Sequence, residues 1–161
     1  MGYTTEFKGE FKFDRELDET TKNILVGLNK TRRMKRSVDK LAMMYGMKVS
    51  KVVDKWGAEG EFYYDNIDIG GQMMDRSVID YNTAPSTQPS LQCCWMYDET
   101  NNSIKWDGTE KFYNYMEWIK YLIDRVIEPK GYVLNGEVDW RGEHPGDFGK
   151  LVVYDNTVLV E

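Results

Sequence analysis

Period-two alternation constrains this fold more than any other feature of the sequence. Phe7, Gly9, Phe11 and Phe13 alternate with Glu6, Lys8, Glu10 and Lys12, which describes a strand with one aromatic face and one charged face. Much later, Tyr132, Leu134, Val138 and Trp140 alternate with Asn135, Glu137 and Asp139, and FGKLVVY and TVLVE enclose Asp155-Asn156. A dipeptide of that kind between two strands predicts a tight hairpin. LQCCWMY and SIKW flank the polar DETNN and predict a second hairpin.

Helical periodicity fills the intervals. Asp18 is placed to cap a helix whose Ile24, Leu25 and Leu28 share one face. Val38, Leu41, Ala42 and Tyr45 repeat the spacing, so one helix continues or two join near Thr31 to Ser37, with a break close to Gly46. From Met47 to Gln72 the signals weaken; EFYYD at 61–65 reads as a strand and Gly70-Gly71 as a loop. Pro85 and Pro89 hold DYNTAPSTQPS extended. Thr109 opens the strongest helix, running to about Glu128, with Phe112, Tyr115, Ile119, Leu122 and Val126 as its apolar stripe and Pro129 and Gly131 closing it. Strands and helices are grouped rather than alternating. The class expected is α+β: a single domain over residues 1–161, with a mostly antiparallel sheet and two or three helices packed on one face.

Charge narrows the function classes. The chain has 21 Lys plus Arg against 27 Asp plus Glu, yet four of those cations, Arg32, Arg33, Lys35 and Arg36, fall in TRRMKR. An acidic protein, with a pI of about 4.9, repels most phosphate backbone, so duplex DNA binding is not expected, while a local anion site is allowed. MGYTTEFKGEF lacks the apolar core of a signal peptide, and no apolar run approaches the ~18 residues of a membrane span. The expectation is a soluble intracellular protein whose adjacent Cys93 and Cys94 stay reduced.

GYTTEFKGEF, TRRMKR, DYNTAPSTQPSLQCCW, WDGTEKFYNYMEWIKYLI and GYVLNGEVDWRGE together resemble a family of uncharacterised small phage and prophage proteins. The resemblance spans Gly2 to about Asn156. It implies a phage setting, hence the cytoplasm of an infected bacterial host, and supplies no activity, cofactor or catalytic residue.

Chemistry therefore rests on the residues. His144 is the single histidine, which excludes a His-rich metal site. Glu137 and Asp139 share one strand face and could pair for acid–base work. Neither GxGxxG nor GxxxxGK[ST] occurs, and no cofactor is expected. Three groups are candidates for binding a ligand or partner. Arg32, Arg33, Lys35 and Arg36 match phosphate or carboxylate; Asp80, Tyr81, Asn82, Thr87 and Gln88 offer polar groups on a stiff loop; Trp118 and Tyr121 lie off the helical stripe and could stack on a ligand. Three functions follow in order of preference: a non-enzymatic phage accessory protein that binds and inhibits a host protein, such as a defence protein; a sequestering protein for a small phosphorylated ligand, such as a signalling nucleotide; and a carboxylate-dependent hydrolase or transferase. A homo-oligomer is left open.

Overall fold

The alternating segments pair with one another. In the computed structural model, which describes residues 2–65 and 74–161, β1 (Glu6–Phe13) lies inside a six-stranded sheet. The other strands are β4 (Trp95–Asp98), β5 (Ser103–Trp106), β6 (Leu134–Arg141), β7 (Phe148–Tyr154) and β8 (Thr157–Val160), in the order β4-β5-β1-β6-β7-β8. Every neighbouring pair is antiparallel. Register sets Phe11 opposite Ile104, Phe7 opposite Trp140 and Val138 opposite Leu151, so the apolar residues of successive strands fall on one face. On the other face Glu6 lies across from Arg141 and Lys8 across from Asp139, opposite charges that stabilise a solvated sheet surface. Asp155 and Asn156 both take positive φ, 48° and 65°, which gives the β7–β8 connection the twist a two-residue hairpin needs.

One helix covers the apolar face. α4 (Tyr115–Leu122) continues through a π-turn, Ile123–Ile127, and a 3-10 turn, Glu128–Lys130. Trp118, Ile119, Tyr121, Leu122, Ile123, Val126 and Ile127 are buried. The helix starts later than the Thr109 start that the sequence suggests. Lys111 has φ 63°, and the Thr109 N–H donates to Asp107 Oδ1 at 2.8 Å, so the chain turns here and inserts Phe112 into the core before coiling. Phe112 joins Phe7, Phe11, Trp95, Trp106 and Tyr115 in a net of ring contacts with centroids 5.1–6.0 Å apart. Trp95 Nε1 donates to the Tyr115 carbonyl at 2.9 Å, so even the indole polar group is satisfied.

These elements belong to one of two compact units, formed by Met1–Lys22 with Cys93–Glu161; the other is Asn23–Gln92. α1 (Glu19–Lys30) runs from the first into the second. Asp18 Oδ1 accepts from the Thr21 N–H at 2.7 Å, the cap that the sequence suggests. The helix ends at Lys30, and Lys35–Arg36 form β2, paired with β3 (Val78–Asp80). α2 (Val38–Tyr45) follows, capped by Ser37 and closed by Gly46 in the left-handed region, the break read from the sequence. α3 (Val49–Trp56) lies within the stretch where the sequence signals weaken. EFYYD is not a strand: residues 61–64 are irregular. Gly27 explains part of this, because a Cβ there would lie 1.8 Å from the Tyr63 carbonyl oxygen; the segment crosses α1 on its bare backbone and binds it through the Asp65 N–H and the Asn23 carbonyl at 3.0 Å. Gly70 and Gly71 lie outside the described residues. The class is α+β, and no helix among the described residues is long and apolar enough to cross a membrane.

Candidate functional site

TRRMKR is spent largely inside the fold. Arg33 is 0% and Arg36 1% exposed, against the expectation of cations held toward a ligand. Both guanidiniums lie over the Tyr63 ring, 4.5 and 3.8 Å from its centroid. Arg36 donates from Nε and Nη2 to the Gly60 carbonyl at 2.9 and 2.7 Å and from Nη2 to the Phe62 carbonyl at 2.8 Å, and its Nη1 lies 3.5 Å from Asp75. The irregular segment after α3 has carbonyls with no ladder partner, and the arginine fork satisfies them. Gly60 sits at φ +62° with Arg36 Nε 2.7 Å from where a Cβ would be, so only glycine admits the guanidinium. Arg33 donates to Thr31 Oγ1 and, at 3.4 Å, to the Gly27 carbonyl.

The other two cations stay nearer the surface and are also engaged. Lys35 pairs with Glu59 at 3.1 Å. Arg32 lies over the Tyr81 ring at 4.6 Å and donates to the Tyr81 carbonyl at 2.9 Å and to Asn82 Oδ1 at 3.1 Å. Two segments singled out in the sequence, TRRMKR and Asp80–Asn82, therefore meet. Their meeting place carries carboxylates: Lys35 is opposite Asp80 in the β2–β3 register. The Thr83 hydroxyl and the Asn82 N–H hold the Asp80 carboxyl below its ordinary range, which keeps it ionised and opposes a bound phosphate.

The stiff loop performs turn chemistry. Asp80 accepts from the Asn82 N–H at 2.9 Å and the Thr83 hydroxyl at 2.7 Å. Exposed Thr87 donates to Glu61 Oε1 at 3.0 Å, and buried Gln88 donates to the Glu61 carbonyl at 2.8 Å. Ser86 donates from its hydroxyl and, at 3.2 Å, from its N–H to Glu59. The Ser86 hydroxyl and then Lys35 draw the Glu59 carboxyl below its ordinary range, against the opposing effect of burial. A depressed folded-state pKa contributes stability above the ordinary value that is lost as pH falls through the depressed one. The exchange protection factor of the Ser86 amide, taken relative to its intrinsic rate at each pH, should therefore fall on acidification below the ordinary glutamate value of about 4.3, and Glu59→Gln should flatten that dependence. An unchanged pH profile in the variant would remove Glu59 as its cause.

Trp118 and Tyr121, 0% and 5% exposed, pack edge to face at 5.3 Å within the other unit, so they are core and no stacking surface. The catalytic candidates disperse as well. Lys150 Nζ lies 3.2 Å from Glu137 and faces Asp139 in the register, which balances that carboxylate pair on an exposed strand face. His144 is exposed, with the Tyr3 ring 5.4 Å away. Burial pushes the Cys94 thiol up to about 11, which leaves it protonated and unreactive at neutral pH. No group of three metal-ligating side chains occurs among the described residues.

A surface missed in the sequence reading lies on α2. Met43 is 83% and Met44 47% exposed, and Tyr45, Val49 and Val53 are also exposed. Lys40, Met43, Met44 and Arg76 line one shallow depression. The signal was present in the sequence, since two methionines fall beside the Leu41–Ala42 face rather than on it. Comparison with protein-family models, curated proteins and solved structures gives no match.

Proposed function

We propose that this is a non-enzymatic accessory protein, of the phage type its segments resemble, that binds and inhibits a protein of the host cell. The exposed Met43–Met44 surface carries the proposal. Exposed thioethers are held out of the core at a cost in hydrophobic burial, and flexible Met-rich surfaces recur where proteins dock on proteins. A phosphorylated ligand is disfavoured because Arg33 and Arg36 are buried on backbone carbonyls, and Lys35 and Arg32 are matched by nearby acceptors.

Purification from bacterial host cells tests this. A host protein should co-purify at stoichiometric yield and be lost from Met43→Asp/Met44→Asp, whose melting temperature should stay close to wild type because exposed substitutions change stability by only about 0.5 kcal/mol each. A nucleotide released on heating, with no protein, would overturn the reading in favour of ligand sequestration. Duplex DNA should remain unbound at physiological salt, since phosphate meets a chain of net charge −6; a gel shift that persists there would contradict this.

A further inference from the structure

We infer that the Met43–Met44 surface receives an acidic amphipathic helix of the partner, an inference that rests on the protein-binding reading above. The first reason is the chemistry of the depression. Two methionines and two cations, Lys40 and Arg76, line it, so it suits an apolar side chain accompanied by carboxylates. None of the ion pairs among the described residues takes up Lys40 or Arg76, in contrast to the cations of TRRMKR. Asp75, next to Arg76 in sequence, is drawn toward Arg36 at 3.5 Å, and no ion pair joins Lys40 to the adjacent Asp39 among the described residues.

The second reason is the charge of the surroundings. Tyr45 of α2 stacks on Trp56 of α3 with centroids 4.8 Å apart, which fixes α3 against α2. Exposed Lys48, Lys51 and Lys55 therefore add to Lys40 and Arg76, with only Asp39 and Asp54 as carboxylates on this hairpin. A chain of net charge −6 thus carries an excess of exposed cations on the hairpin that holds its methionines. An acidic partner is attracted to this hairpin, while the remaining acidic surface repels it elsewhere, which favours docking here. On a helix, residues three or four apart share a face, so one apolar residue can enter between Met43 and Met44 while carboxylates a turn away reach Lys40 and Arg76.

Two designed helical peptides with the same leucine face, one bearing glutamates and the other lysines on the polar face, test the inference. The glutamate peptide should shift the methyl NMR signals of Met43 and Met44 and bind about tenfold or more tightly than the lysine peptide, with a preference that fades as salt is added. Lys40→Glu/Arg76→Glu should exchange the preference. Equal binding of the two peptides, shifts confined to other methionines, or an unaltered preference in the charge-reversed variant would overturn it. If a host protein co-purifies through Met43 and Met44 but the glutamate peptide does not bind, the acidic-helix inference fails and the protein-binding reading stands. If the glutamate peptide docks as described but host cells yield no protein, the surface chemistry is supported and the host-protein reading fails.

Discussion

Arg36→Ala should destabilise the Asn23–Gln92 unit by about 3–5 kcal/mol, the cost of removing one partner from a buried ionic network. The substitution leaves the Gly60 and Phe62 carbonyls without the donors that reach them at 2.7–2.9 Å, and Asp75 without its cation. It also strips one guanidinium from the Tyr63 ring. Arg36→Lys keeps the charge but not the fork, so it should recover only part of the loss. Chemical denaturation of the two variants measures both effects. Arg32→Ala is the internal control: its partners Tyr81 and Asn82 are exposed, so its cost should be much smaller. If Arg36→Ala unfolds at the same denaturant concentration as wild type, the buried arginine is not a structural element.

Trp118→Ala should cost about 3–5 kcal/mol, the range for truncating a buried large aromatic side chain. Trp118 is 0% exposed and packs on Tyr121, so the loss combines transfer free energy with a cavity that the π-turn after α4 cannot readily close. A tryptophan held out for a ligand would behave otherwise, because its truncation would impair binding and leave the melting temperature nearly unchanged. Thermal unfolding of the variant separates these outcomes, and an unchanged transition would contradict the core placement.

The legible parts of the fold were those specified by neighbours in sequence. The β1 alternation places its aromatic side chains on one face whatever they later meet, and Asp155-Asn156 can turn the chain locally because both residues tolerate positive φ. The Gly46 stop and the Asp18 cap depend on backbone groups within one helical turn. The late start of α4 was less accessible, because Lys111 takes its left-handed conformation to deliver Phe112 into a ring cluster built from β1, β4 and β5. EFYYD misled for a related reason: its aromatic residues resemble a strand, but Tyr63 is occupied by Arg33 and Arg36, and the close approach at Gly27 draws its backbone onto α1.

The same distinction divides the candidate site. By itself the sequence determined the α+β class, most strand and helix positions, the acidic balance and the existence of a basic cluster, since composition and short-range periodicity depend on residues close along the chain. Only the tertiary structure decided which cations point inward. An arginine is usually solvated, and it is buried only when carbonyls and an aromatic ring converge to replace its water; for Arg36 those groups come from Gly60, Phe62 and Tyr63, more than twenty residues away, roughly seven turns were the chain one helix. Tertiary packing likewise turned Trp118 and Tyr121 inward and left Met43 and Met44 outside, because burial depends on what each side chain meets across the fold rather than on its own hydrophobicity.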